Sequence, residues 1–266
     1  MTGKGVPDRW QSGEPYERYV GRWSRRVAPL FLDWLGMPAG LTWLDIGCGT
    51  GAVIAAVLTH CHPQRVIGVE PSDGFRLTAQ QRIGDGAVLH AGNASAIPVD
   101  DHSIDVLVSG FVLNFIPELP DALQHMASKL KPGGTLAAYV WDYAEGMLMM
   151  RHFWDAASEL DPAAAALDEG RRFKLCQHGE LAAAFERAGL SAVATAPLTI
   201  IQKFDGFDDY WQPFLGGQGS APSYFSTLDA ASQRALSERL RQRLPFASDG
   251  TLELSARAWA VRGLAH

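Results

Sequence analysis

The stretch that decides the fold is Leu44-Asp45-Ile46-Gly47-Cys48-Gly49-Thr50-Gly51. The run from Leu41 to Ile46 is short and apolar and closes on a carboxylate, which is typical of a buried parallel strand. Three glycines at alternate positions follow, and residues 52–58 then begin a helix. Because glycine has no Cβ, the turn can be tight and a ligand can approach the backbone closely. The pattern predicts a strand–turn–helix unit that binds a nucleoside.

A second acid ends the next predicted strand, Val66 to Glu70. An ionised carboxylate accepts hydrogen bonds through both oxygens, so Glu70 can accept from both hydroxyls of a ribose. Gly47, Gly49 and Ala52 also satisfy the loose dinucleotide pattern G-x-G-x-x-G/A, with Glu70 at the distance expected for the ribose of NAD. These residues alone therefore leave the identity of the nucleoside open.

Later landmarks favour one family. Residues 45–51, Asp-Ile-Gly-Cys-Gly-Thr-Gly, resemble motif I of the class I S-adenosylmethionine-dependent methyltransferases. Gly-Val-Glu-Pro-Ser at 68–72, Gly-Asn-Ala-Ser-Ala-Ile-Pro at 92–98 and Leu-Lys-Pro-Gly-Gly-Thr-Leu at 130–136 follow in the order of that family. The layout is most similar to the small-molecule branch that includes ubiquinone and menaquinone biosynthesis methyltransferases.

The resemblance implies an α/β fold with a Rossmann-like, seven-stranded, mostly parallel sheet. The last strand is expected to be antiparallel, with helices on both faces, N-terminal capping helices and a helical lid insertion. We expect a single domain over residues 1–266. Its expected parts are a cap (1–38), a cofactor-binding core (39–142), lid or insertion segments (143–178 and 205–228), and C-terminal residues that complete the sheet.

The resemblance also implies the cofactor, S-adenosylmethionine, with S-adenosylhomocysteine as the product. Many relatives carry Asp where this chain has Asn93, but the amide oxygen of Asn can still accept a hydrogen bond from adenine. The residues expected to contact the cofactor are Arg22, Asp45, Gly47, Cys48, Gly49, Gly51, Glu70, Pro71, Asn93, Ala94, Ser109 and Phe111.

Aromatic residues are plentiful around the expected mouth of the site, which suggests an enclosed and partly apolar pocket for a small molecule. The residues expected to line it are Tyr16, Tyr19, Trp23, Asn114, Trp141 and Tyr210. For Tyr19 and Trp23 the alternative is that they are core anchors of a capping helix.

The expected reaction is transfer of the methyl group by in-line displacement, driven mainly by positioning of the reactants. A base is needed only if the acceptor must lose a proton. No catalytic residue is assigned, and the eight histidines show no metal-ligand spacing, so no metal is expected. Residues 114–117, Asn-Phe-Ile-Pro, do not match the Asn-Pro-Pro-Tyr-type motif of enzymes that methylate DNA, RNA or glutamine nitrogens.

The composition of the chain limits which binding partners and which cellular compartment we expect. A net charge of −6 without a dense basic run disfavours nucleic acid. Three cysteines without metal spacing fit a reducing cytoplasm, and no signal peptide or membrane-spanning run is apparent. We expect a cytoplasmic monomer or homodimer that acts on a small molecule, without membrane insertion. Two alternatives remain: a non-catalytic S-adenosylmethionine-binding regulator, and a NAD-dependent oxidoreductase, which should carry a Tyr-x-x-x-Lys or an equivalent.

Overall fold

The computed structural model describes residues 20–216 and 219–266. Its strands are β1 (Thr42–Ile46), β2 (Arg65–Val69), β3 (Val88–His90), β4 (Ile104–Gly110), β5 (Leu130–Trp141), β6 (Ser191–Phe204) and β7 (Leu252–Leu264). Its α-helices are α1 (Arg22–Leu35), α2 (Ala52–His60), α3 (Asp73–Ile83), α4 (Leu119–Ser128), α5 (Leu148–Leu160), α6 (Glu169–Arg172), α7 (Glu180–Arg187), α8 (Phe207–Trp211), α9 (Ser220–Thr227) and α10 (Ala230–Arg243).

The seven strands form one sheet in the order β3-β2-β1-β4-β5-β7-β6. Strands β1 to β5 are parallel, whereas β7 lies between β5 and β6 and runs antiparallel to both. The predicted Rossmann-like sheet with an antiparallel last strand and helices around it is confirmed. The strand order reverses between β1 and β4, and a crevice opens outside the carboxyl ends of the strands at such a point.

Helix α1 is joined to strands β6 and β7 by hydrogen bonds. Trp23, Val27 and Phe31 are buried at helical spacing along α1, and the helix ends at Gly36, whose N–H donates to the Leu32 carbonyl at 3.0 Å. Arg26 Nη1 donates to the Ile201 carbonyl of β6 at 2.7 Å. Arg262 Nη1 of β7 donates to the carbonyl of Leu35 at 3.1 Å. These contacts join the start of the described chain to its last two strands.

Two segments change structure over a few residues. Helix α4 ends at Ser128, and β5 already begins at Leu130, which pairs with Ile104 before the register shifts to Val106–Thr135. The alanine-rich stretch 161–170 is not one helix but a 3-10 turn (Pro162–Ala166) followed by the short α6. Asp161 and Asp168 each accept from a backbone N–H two residues later, which starts a new turn at each acid.

The aromatic segment expected at 205–216 forms the short α8 and a 3-10 turn (Gln212–Gly216). Gly217 and Gln218, within the expected lid segment 205–228, lie outside the described residues. No described helix is both long enough and apolar enough to cross a bilayer.

Candidate functional site

A cavity of about 430 Å³ lies at the carboxyl ends of β1 to β5. Part of the lining comes from the glycine turn and from the residues that follow β2 and β3. The rest comes from the start of α1, from the residues that follow β4, and from the end of β5 and the residues after it. Its lining residues are Val20, Ser24, Asp45, Ile46, Gly47, Cys48, Gly49, Thr50, Ala52, Val53, Glu70, Pro71, Ser72, Phe75, Asn93, Ala94, Ser95, Gly110, Phe111, Val112, Phe115, Ile116, Pro117, Tyr139, Trp141 and Tyr143.

Glu70 holds the glycine turn in place. Its Oε2 accepts the N–H of Gly49 at 3.1 Å, and its Oε1 accepts the N–H of Ser72 at 2.9 Å. Arg76 Nη1 donates to the backbone carbonyl of Glu70 at 2.6 Å. Burial raises the pKa of Glu70, while the two N–H bonds and the nearby Arg76 oppose that rise. The carboxylate therefore lines the cavity in a fixed position.

The absence of a side chain at Gly49 leaves space beside the backbone of the glycine turn. A Cβ built there would meet nothing nearer than the Gly47 carbonyl oxygen at 3.9 Å. A ligand can therefore approach the backbone at Gly49, as the sequence predicted.

Asp45 is a buried carboxyl without a hydrogen-bond partner among the described residues. Asp45 is the penultimate residue of β1, lines the cavity and is 2% exposed. Burial, and then the charge of Glu70, raise the pKa of Asp45 to about 8. A buried carboxyl of this kind is stabilised in its ionised form by a cation or a donor. Two acids beside an open glycine turn therefore fit a ligand that carries ribose hydroxyls and a positive charge.

Asn93 organises the turn after β3. Its Oδ1 accepts the N–H of Ser95 at 2.9 Å, and its carbonyl accepts the N–H of Ala96 at 3.0 Å. The amide oxygen is therefore already used once, although it has a second lone pair for a ligand donor. Pro71 and Ala94 also line the cavity, as does Cys48, whose pKa is raised chiefly by burial.

The other end of the cavity is mostly aromatic and apolar. Phe111 lies directly after β4 with φ of 61°, an uncommon conformation for a residue with a side chain, and its N–H donates to the Tyr139 carbonyl at 2.8 Å. Its ring stacks on Trp141 at 4.1 Å with 13° between planes, and meets Tyr139 edge-on at 4.5 Å. Phe111 and Trp141 therefore form one wall of the cavity.

Three expected cofactor residues do not line this cavity. The Ser109 hydroxyl, at the buried end of β4, donates to the Ile46 carbonyl at 2.9 Å and so ties β4 to β1. A Cβ at Gly51 would lie 3.3 Å from Ala79 Cβ, so this glycine allows α2 to pack against α3. Arg22 pairs with Asp209 at 2.8 Å instead.

Three of the residues expected in the substrate pocket, Trp23, Tyr210 and Asn114, lie outside the lining of this cavity. Trp23 packs edge-on against Phe204 at 5.3 Å and is a core anchor of α1, the alternative that the sequence left open. Tyr210 is fully buried, and its hydroxyl donates to the Met149 carbonyl at 3.0 Å. Asn114 lies in the turn after β4 but outside the lining. Tyr16 and Tyr19 lie outside the described residues. Of the four predicted residues that the structure describes, Trp141 lines the cavity.

Several lining residues were not predicted. Tyr139 precedes Trp141 by two positions in β5, so both side chains leave the same face of the sheet. That period of two could have identified Tyr139 from the sequence. No comparable sequence pattern identifies the other lining residues that were not predicted, because they reach the cavity only through tertiary packing. They include Val20, Ser24, Val112, Ile116 and Pro117. Within residues 20–216 and 219–266, no three His, Cys, Asp or Glu side chains gather in a way that could hold a metal ion.

The fold is an α/β domain of the doubly wound type, and its cavity lies at the carboxyl ends of the parallel strands. A family profile described as "Methyltransferase domain" matches residues 44–138. The chain is 32% identical to a demethylmenaquinone methyltransferase of Shouchella clausii over 38% of this chain and 46% of that protein. It is also 32% identical to a malonyl-[acyl-carrier protein] O-methyltransferase of Xylella fastidiosa over 40% of this chain and 36% of that protein. The chain thus spans less than half the length of these curated relatives.

Among solved structures, the chain is similar to phosphoethanolamine N-methyltransferase 2 of Haemonchus contortus in complex with S-adenosyl-L-methionine. The TM-score is 0.57 at 14% identity, over 94% of this chain and 56% of that chain, which is a likeness of fold. The family profile thus covers the glycine turn and Glu70, and the solved structure shares the fold. The acid pair and the open turn fit S-adenosylmethionine, the molecule named in that complex.

Proposed function

We propose that this protein transfers the methyl group of S-adenosylmethionine to a small, partly apolar or aromatic molecule by in-line displacement. The observation that carries the proposal is the composition of the cavity. Two buried acids, a glycine turn and the aromatic wall of Phe111 and Trp141 line the same cavity. A charged nucleoside and an apolar molecule can therefore share one cavity, as transfer between them requires.

The proposed cofactor contacts follow from the contacts of the acid pair. Glu70 accepts the ribose hydroxyls with lone pairs that its two backbone N–H bonds leave free. Asp45 balances the positive charge of the ligand, and the turn of Asn93 and Ala94 lies against the adenine. Gly47, Cys48, Gly49, Pro71 and Phe111 complete the contact surface.

When bound, S-adenosylmethionine supplies a methyl group attached to a sulfonium sulfur. That methyl group is electrophilic because the leaving group is a neutral thioether. The chain's own residues then orient the acceptor and exclude water. Such positioning is worth on the order of 7–11 kcal/mol in favourable cases. No histidine lines the described cavity, so the proposal assigns no general base. An acceptor that reacts without losing a proton needs none.

The first experiment is calorimetric titration with S-adenosylmethionine, S-adenosylhomocysteine and NAD, followed by a screen of acceptors that detects S-adenosylhomocysteine and a mass gain of one methyl group. Binding of the two sulfur nucleosides, with a methylated product, supports the proposal. Binding without a product from any acceptor favours a non-catalytic regulator. Binding of NAD alone contradicts the proposal and favours an oxidoreductase.

A further inference from the structure

We propose that the outer edge of β6 binds a second copy of this chain, and that the two sheets join by antiparallel pairing about Thr199. The proposal does not depend on the cofactor or the acceptor, because it concerns the end of the sheet farthest from β3. It rests on the direction of the backbone groups along β6, on the missing donor at Pro197, and on the charges along α1.

The hydrogen bonds of β7 determine which residues of β6 face the outer edge. Arg257 of β7 directs its backbone toward the β5 side, since its N–H donates to the Gly146 carbonyl at 3.0 Å and its carbonyl accepts the Asp142 N–H at 2.9 Å. Backbone groups alternate in direction along an antiparallel strand, so the two neighbours of Arg257 bond to β6. Their partners in β6 are Leu198 and Ile200.

The alternate residues of β6 therefore direct their backbone groups away from β7. Arg26 confirms this direction, because its Nη1 reaches the carbonyl of Ile201 at 2.7 Å. The outer edge pairs with no strand of the described residues, and an edge of unpaired N–H and C=O groups is a template for another strand. The residues that form this edge all have exposed side chains: Thr195, Pro197, Thr199, Ile201 and Lys203.

One register satisfies the backbone groups of this edge from 195 to 203. With a two-fold axis at Thr199, that residue exchanges two hydrogen bonds with its copy, and Pro197 lies opposite the partner's Ile201. Proline has no N–H to donate, but the Ile201 carbonyl that lacks this donor is already bonded to Arg26 of its own chain. The Ile201 N–H donates to the partner's Pro197 carbonyl. A shift by one residue would place Pro197 opposite a carbonyl without such a donor.

The side chains that this register brings together are compatible. Thr199 meets its own copy, and Pro197 meets the partner's Ile201, which is 41% exposed in the single chain. Thr195 meets the partner's Lys203, whose ammonium is paired with Glu253 at 2.6 Å. No two like charges lie opposite each other, and the apolar pair at the centre stabilises the contact between strands.

Helix α1 runs beside β6 in the opposite direction. At its start, Trp23 packs on Phe204, the last residue of β6. At its end, the carbonyl of Leu35 accepts a hydrogen bond from Arg262, which pairs with the early part of β6. The middle of α1 therefore lies beside the middle of β6, where the two-fold axis passes.

The exposed face of α1 carries a cation, an apolar residue and an anion in that order. Arg26, Leu30 and Asp33 have the spacing of one helical face, and Leu30 is 39% exposed. The axis at β6 sets α1 antiparallel to its copy, so Leu30 lies toward the axis and Arg26 lies toward the partner's Asp33. Each contact occurs twice. This charge complementarity favours a second copy of the chain over an unrelated protein.

The first test is sedimentation equilibrium of the full chain. We expect twice the mass of the chain at micromolar concentration, with dissociation on dilution and at high salt. Thr199→Pro removes the N–H at the axis but no bond to β7, so a folded monomer is expected, whereas Thr199→Val should remain a dimer. A wild-type monomer at every concentration overturns the proposal and makes Pro197 and Lys203 residues that protect an unpaired edge. A folded Thr199→Pro dimer also overturns it.

The second test exchanges the charges of α1. Asp33→Arg gives two cations at each contact and Arg26→Asp gives two anions, so each homodimer should weaken by about tenfold or more. A mixture of the two variants, carrying different fluorophores, should form a heterodimer in preference to either homodimer, because both contacts then join opposite charges. Glu238→Arg, on the exposed face of α10, is the control for charge reversal and should dimerise as the wild type does. No preference for the heterodimer overturns the pairing of the two helices.

Discussion

Gly47 of the glycine turn lies against Val112, which follows the neighbouring strand β4. A Cβ built on Gly47 would lie 2.6 Å from Val112 Cγ2 and 2.8 Å from Cγ1. Both distances are far below van der Waals contact, and Gly47 has φ of 72°. Glycine at position 47 is therefore required by the packing of the protein itself, whereas Gly49 faces open space.

Gly47→Ala is expected to destabilise the fold much more than Gly49→Ala. Overpacking costs about 1–3 kcal/mol, and a positive φ costs roughly 1 kcal/mol more, whereas Gly49→Ala carries only the second cost. Urea unfolding measures both losses. Val112→Ala, introduced into Gly47→Ala, should restore part of the stability, and equal losses in the two single variants would contradict the packing argument.

Glu70→Ala should weaken S-adenosylmethionine binding by about 1.5–3 kcal/mol, the scale of hydrogen bonds to a charged group. The variant also leaves the N–H groups of Gly49 and Ser72 without their partner, so the glycine turn loses a constraint. Calorimetric titration measures the affinity. Glu253→Ala, at a carboxylate that is 57% exposed, is the matched control. Wild-type affinity in a folded Glu70→Ala protein would rule out the ribose assignment.

The raised pKa of Asp45 predicts how the stability of the ligand-free protein depends on pH. In the unfolded chain this carboxyl ionises near its ordinary pKa of 3.8, whereas in the folded protein its pKa is about 8. Between these values the folded state keeps a proton that the unfolded state has lost. The contribution of Asp45 to stability is therefore complete below about pH 4 and is lost as pH rises to about 8. Urea unfolding from pH 5 to 9 should show this decline, and Asp45→Asn should flatten it.

The same carboxyl predicts proton release when the cofactor binds. A positively charged ligand favours the ionised form of Asp45, so binding at pH 7 should expel a proton and affinity should rise toward pH 8. Titration in buffers with different ionisation enthalpies counts the protons released. If Asp45→Asn released as many protons as the wild type, another group would be the source.

Arg22→Ala should leave S-adenosylmethionine affinity within twofold, although the sequence suggested a cofactor contact. The guanidinium lies 4.3 Å from the centre of the Trp23 ring and pairs with Asp209. Loss of both contacts should destabilise the fold by about 1–2 kcal/mol, and Asp209→Ala by less. Thermal unfolding and calorimetry separate the two effects. A tenfold loss of cofactor affinity in folded Arg22→Ala would restore the earlier assignment.

Tyr210→Phe should cost roughly 1 kcal/mol of stability, because it removes the buried hydrogen bond to the Met149 carbonyl. Its aromatic ring would remain in the core, so the KM for any acceptor found in the methylation screen should not change. Denaturant unfolding and steady-state kinetics provide the two measurements. A raised KM without a loss of stability would place Tyr210 in the pocket after all.

The cofactor end of the cavity could be predicted from sequence because it is local. Asp45, the glycine turn and Glu70 stand at strand ends, where short-range rules place side chains. The acceptor end depends on segments far apart in the chain, such as Val20, Ile116 and Trp141. Aromatic content could not separate pocket residues from core residues there, since the aromatic side chains of amphipathic helices are normally buried in packing, as Trp23 and Tyr210 are.

The arginine contacts of α1 determine which segments of the chain must be present for the cavity to be complete. The helix that brings Val20 and Ser24 to the cavity is bound by β6 and β7, through Ile201 and Arg262. A fragment that ended after Trp141 would contain every residue that matches the family profile. It would lack β6 and β7, and α1 would lose its hydrogen bonds to these strands. The lining residues Val20 and Ser24 thus depend on strands that lie outside the piece with the glycine turn. A substitution in β6 or β7 can therefore change the position of Val20 and Ser24 without touching the glycine turn.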